Sequence, residues 1–125
     1  MKKLVLIFLL LASVTYGQTT FFQIVQSVPK ETTLERLNLP RTQEVWLNMI
    51  NNAKNTLDIG MFYIAHKKGE ALEPVLEAIK NAAAREVKVR VLVDSNFYAN
   101  SEKSVDELAV IDNITIAKIS FKNVG

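Results

Sequence analysis

From residue 42 onward the apolar residues of this chain alternate between helical spacing and strand spacing, and that alternation restricts the fold more than any other feature. The clearest segment is Val87 to Asp94, where Val87, Val89, Val91 and Val93 alternate with Lys88, Arg90 and Leu92. Period-two alternation over such a run is the pattern of a β-strand. On either side of it the spacing changes to i, i+3, i+4. The order read from residue 42 is α-β-α-β-α-β, which predicts an α/β fold: a helix-flanked, largely parallel sheet joined by right-handed crossovers.

The elements are read as follows. Thr42 caps a helix to about Ala53, with Val45, Trp46, Met49, Ile50 and Ala53 on one face and Trp46 in the core. Thr56 to Ile64 reads as a strand. Leu57, Ile59, Met61 and Tyr63 point one way, and Asp58, Gly60, Phe62 and Ile64 the other. Apart from Asp58 both faces are apolar or small, which predicts a strand covered on both sides. A helix then runs to about Arg85 with Leu72, Val75, Leu76, Ile79, Ala82 and Ala83 buried, and Pro74 is tolerated in its first turn. After the strand ending at Asp94, Ser104-x-x-Glu107 fits a capping box that opens a short helix through Leu108 and Ile111. A last strand spans Ile114 to Ser120. Upstream, Phe21 to Val28 is β-prone and reads as a first strand, and Lys30 to Pro40 as a connecting loop, with Thr32-x-x-Glu35 fitting a helical turn.

The amino terminus carries an export signal by its pattern. Lys2 and Lys3 precede the apolar run Leu4 to Ala12, and Thr15 and Gly17 supply small residues for cleavage. The run is shorter than the roughly 20 residues a bilayer span needs. Residues 1–17 are therefore read as a signal peptide, with an uncleaved anchor as the alternative, and 18–125 as the mature domain. Localisation after cleavage would be the periplasm, the extracellular space or a lysosomal lumen. The full chain has 15 Lys+Arg against 13 Asp+Glu. Removing Lys2 and Lys3 leaves 13 of each sign, which does not support a broad electrostatic footprint for nucleic acid. There is no cysteine, so neither disulfides nor a thiolate nucleophile is available, and one histidine is too few for a zinc site of usual composition. The sequon Asn113-Ile-Thr115 is read as the turn entering the last strand, with glycan attachment in a eukaryotic host as the alternative.

Thr42-Gln43-Glu44-Val45-Trp46-Leu47, Ala53-Lys54-Asn55-Thr56-Leu57-Asp58-Ile59, Met61-Phe62-Tyr63 and the strand Val87 to Asp94, taken in order, resemble the opening of a phospholipase D superfamily half-domain. Phe22 to Pro29 is similar to the start of the secreted and lysosomal phospholipase D-like exonucleases and their poxvirus envelope relatives. The resemblance covers about residues 21–120. It implies phosphodiester hydrolysis, of phospholipid or nucleic acid, by a His-x-Lys-x-x-x-x-Asp motif. In that family the histidine attacks phosphorus to form a phosphohistidine. A second copy, from another half-domain or subunit, supplies the general acid, the lysines stabilise the pentacoordinate state, and no metal or cofactor is needed. Through Gly125 the motif does not occur. The resemblance thus implies the amino-terminal portion of such an enzyme, inactive by itself, with no catalytic residue assigned. The alternative is a secreted non-catalytic remnant that binds or pairs.

His66-Lys67-Lys68 followed by Glu73 has part of the motif's spacing. The preferred reading makes it a loop entering a helix, with Glu70 and Glu73 at the positive end of the helix dipole. Tyr63 and Asp94 are the candidate substrate-binding residues, because both fall toward the carboxyl ends of predicted parallel strands, where ligands gather in open α/β sheets. Their alternative readings are a core tyrosine and an aspartate that caps the next turn.

Overall fold

The structure is a computed structural model that describes residues 22–29, 33 and 38–120. Helix α1 spans Thr42–Asn52, strand β1 Thr56–Met61, helix α2 Glu73–Ala84 and strand β2 Lys88–Asp94. A 3-10 helix, Ser95–Asn100, leads into helix α3, Glu102–Ala109, and strand β3 follows at Ile114–Ile119. The three strands form one parallel sheet in the order β1-β2-β3. The α/β alternation and the parallel sheet read from the sequence are both present.

The sheet has two unlike faces. Val89, Val91 and Val93 of β2 are almost wholly buried and pack with Val75, Leu76, Ile79, Ala82 and Ala83 of α2 and with Val105 and Leu108 of α3. Leu57, Ile59 and Met61 of β1 and Ile114 and Ile116 of β3 complete this core. On the other face Asp58, Gly60, Lys88, Arg90, Leu92, Thr115 and Ala117 are exposed. β1 is therefore covered on one side only among the described residues, contrary to the expectation of a strand enclosed on both. The sequence misleads here because Gly60 carries no side chain and Asp58 is neutralised across the sheet. Arg90 Nε and Nη2 donate to Asp58 Oδ1 and Oδ2 at 2.5 and 2.6 Å, a bidentate pair between register partners.

Several boundaries shift for local reasons. β1 ends at Met61 rather than Ile64, because the backbone bends there and the Ile64 N–H donates to Ser101 Oγ at 2.7 Å. The helix expected from Ser104 begins at Glu102, and Ser104 is buried within its first turns instead of capping it. Arg41, not Thr42, is the residue before α1; its N–H is met by the Glu44 carboxylate at 3.4 Å, while the Thr42 hydroxyl donates to Gln26 O at 3.1 Å. Trp46 is 39% exposed and Met49 63%, so the core-facing side of α1 rests on Ile50 with Leu47 and Ala53 partly buried. Trp46 is thus not the core residue expected. The first strand expected at Phe21 to Val28 reduces to one bridge, Gln26 to Arg41, and Phe22 and Ile24 stand exposed. Phe21, the signal peptide and the turn at Thr32 to Glu35 lie outside the described residues, apart from Thr33.

Polar contacts tie the helix ends down. Arg85, just past α2, donates from Nη2 to Ile50 O and Asn51 O at 3.1 and 3.3 Å, which satisfies carbonyls left open at the end of α1. Asn113, just before β3, donates from Nδ2 to Ala83 O at 3.2 Å at the end of α2. It adopts φ 65°, a left-handed conformation that asparagine tolerates better than most residues.

Candidate functional site

The loops that follow β1 and β2 leave the sheet at the same edge, because parallel strands place their carboxyl ends together. In open α/β sheets this edge is where ligands bind. The residues it gathers here are Phe62, Tyr63 and Ile64 after β1, Asp94 at the end of β2, and Phe97, Tyr98 and Ser101 after it.

Tyr63 is 49% exposed and so is not a core tyrosine. It meets Phe62 edge to face, with ring centroids 6.3 Å apart. Phe62 in turn lies against Phe97 at 4.3 Å between centroids. Three aromatic rings therefore form a partly exposed wall at this edge. Such a wall offers π-faces and apolar area to a ligand without committing to its class.

Asp94 is 5% exposed, and its Oδ1 accepts from the Asn96 N–H at 2.8 Å. That bond starts the 3-10 helix, so one carboxylate oxygen is engaged in the turn. The Tyr98 hydroxyl donates to Asp106 Oδ1, and Lys118 Nζ lies 3.2 Å from the centroid of the Tyr98 ring. This cation–π contact holds a positive charge on β3, the strand that pairs with β2. Tyr63 and Asp94 share the sheet edge, where the buried bond from Ile64 N–H to Ser101 Oγ ties the loop after β1 to the start of α3. Phe97 and Ser101 were missed in the sequence. Their partners lie 35 and 37 positions away, and no local pattern encodes such contacts.

The His66 segment is a loop, as preferred. Glu73 Oε2 accepts from the Gly69 N–H at 2.9 Å, so this carboxylate closes the turn into α2. Lys67 and Lys68 are exposed, and His66 Nδ1 is buried without a hydrogen-bond partner. Gly69 adopts φ 85°, which only glycine enters freely.

Away from this edge, a cavity of about 240 Å³ between α1, α2 and the sheet is lined by Trp46, Met49, Ile59, Met61, Leu72 and Val75. Its lining is apolar apart from Asp58, whose carboxylate is paired with Arg90. No group of three or more His, Cys, Asp or Glu is placed to hold a metal among the described residues. No helix among them is long and apolar enough to cross a membrane.

Residues 46–123 match the family model described as "Cardiolipin synthase, PLD-like domain". Among curated proteins, Phospholipase D Z of Dictyostelium discoideum is 33% identical over 79 residues, an alignment covering 56% of this chain and 18% of that protein. Probable phospholipase D F09G2.8 of Caenorhabditis elegans is 31% identical over 106 residues, covering 77% of this chain and 19% of that protein. The matched region is under a fifth of the length of either relative, at 18% and 19%.

Proposed function

Because this chain belongs to the phospholipase D superfamily, we propose that it is the amino-terminal portion of an exported phosphodiesterase, supplying the first strands and one wall of a substrate site. The observation that carries the reading is the match of residues 46–123 to the family model. Its β1, α2, β2, α3 and β3 are the elements that hold Tyr63 and Asp94 at the carboxyl edge. The substrate is a phosphodiester, from a phospholipid or a nucleic acid. The hydrolysis runs through a phosphohistidine on residues outside this chain, with a second half-domain or subunit supplying the general acid. By itself the chain is inactive: up to Gly125 it carries no His-x-Lys-x-x-x-x-Asp, and Glu73, at the corresponding offset from His66, closes a turn. No metal takes part in this scheme. Export rests on Lys2, Lys3, the apolar run Leu4 to Ala12 and the small residues before Gln18.

A second reading, a secreted module that binds or pairs without catalysis, is favoured by one observation: the exposed sheet face around Arg90 and Leu92. One experiment separates the two. The 125-residue chain and the product of the natural transcript read beyond Gly125 are assayed on bis(p-nitrophenyl) phosphate, phosphatidylcholine vesicles and single-stranded DNA. No turnover by the short chain, and turnover with a trapped phosphohistidine by the longer product, is the expected result. Turnover by the short chain would overturn its inactivity. A transcript that stops at Gly125 would favour the second reading.

A further inference from the structure

We infer that Asn113 is an N-glycosylation site whose glycan stands at the amino edge of the sheet, away from the candidate substrate site. Asn113 is the only asparagine in the chain followed at the second position by Ser or Thr, and Ile114 between them is not proline. Both sequon ends are exposed in the folded chain, whereas Ile114 is 8% exposed and anchors the strand in the core. The acceptor residue thus stands at an exposed turn, in a left-handed conformation with φ 65°, with its Nδ2 donating to Ala83 O at 3.2 Å.

The chemistry leaves the fold intact. Asn113 Nδ2 attacks C1 of an oligosaccharide carried on a lipid pyrophosphate. The C1–O bond breaks, the lipid pyrophosphate leaves with the electron pair, and one amide proton passes to a base of the host transferase. The substituted amide keeps its other N–H. One N–H is all that the bond from Nδ2 to Ala83 O at 3.2 Å requires, so glycan and helix-end contact are compatible. β3 has six residues, which separates the two sheet edges by about 17 Å. A bulky, hydrated glycan at Asn113 would therefore stay clear of the edge that holds Tyr63, Phe97 and Asp94.

The inference rests on the proposed export, since the transferase works in the secretory lumen. The test translates the full chain in the presence of eukaryotic microsomes and reads two quantities, protection from added protease and electrophoretic mobility. Protection with a single upward mobility step, reversed by peptide N-glycosidase on the folded protein, is expected. Asn113→Gln and Thr115→Ala remove the step and Thr115→Ser keeps it. A protected chain without the step overturns the glycan site and leaves export standing. An unprotected chain counts against export instead. The same chain is then placed behind a leader of proven function, where absence of the step again overturns the site and its presence supports it.

Discussion

Asp58 and Arg90 show how two charged residues are accommodated on a strand pair without burial. Both side chains are largely exposed, yet the guanidinium grips both carboxylate oxygens at 2.5 and 2.6 Å. Those hydrogen bonds hold the Asp58 carboxyl below its ordinary value of 3.8 and raise Arg90. A depressed carboxylate contributes stability that is fully present above the unfolded value and is lost as pH falls through the folded one. The unfolding midpoints of the native chain and Asp58→Asn should therefore differ slightly at neutral pH and converge as pH falls below the ordinary carboxylate value of 3.8. The neutral-pH gap should shrink in high salt, because exposed pairs are screened. Thermal unfolding followed by circular dichroism across that range checks both. Equal spacing at every pH would show that the pair contributes nothing through ionisation.

Within the elements, β2 separates two environments residue by residue. Val91 is 2% exposed and Leu92 41%, although they are neighbours on one strand. Val91→Thr puts a hydroxyl among valines with no polar partner, a cost of about 1–3 kcal/mol. Leu92→Thr meets solvent and should change stability by no more than about 0.5 kcal/mol. Urea unfolding of the two variants measures the contrast directly. This alternation was legible in the sequence, as were the buried stripe of α2 and the parallel order, because each is encoded by spacing within a single element. What lay between elements was not. Nothing local in Thr56 to Ile64 tells that one face stays open, nor that Ser101 rather than Ser104 holds the helix entry. The exposure of Trp46 depends on how α1 packs beside α2. For the site, Asp94 was legible as the residue that ends β2, where its carboxylate caps the next turn as its alternative reading has it, while Tyr63 lies in the loop beyond β1 rather than on the strand. Phe97 was not legible, because its contact with Phe62 exists only once two loops meet.

At the scale of the whole molecule, the helices among the described residues lie on one side of a sheet whose other side shows Leu92, Ala117 and Ile119 between charged residues. A sheet left half-covered, as it is among the described residues, is prone to association. Sedimentation velocity should show mass rising with concentration for the native chain and falling back toward monomer for Leu92→Lys combined with Ile119→Lys. A native chain that stays monomeric at every concentration would show the face to be self-sufficient in water. The strand order carries another consequence. Because β1, β2 and β3 lie side by side in the order in which they occur in the chain, every strand adds to the edge left by the previous one and none has to be inserted between two already placed. A polypeptide emerging amino end first can accrete this sheet as it appears, with α2 burying β1 and β2 before β3 has been made. The molecule can thus be assembled during synthesis as readily as after it.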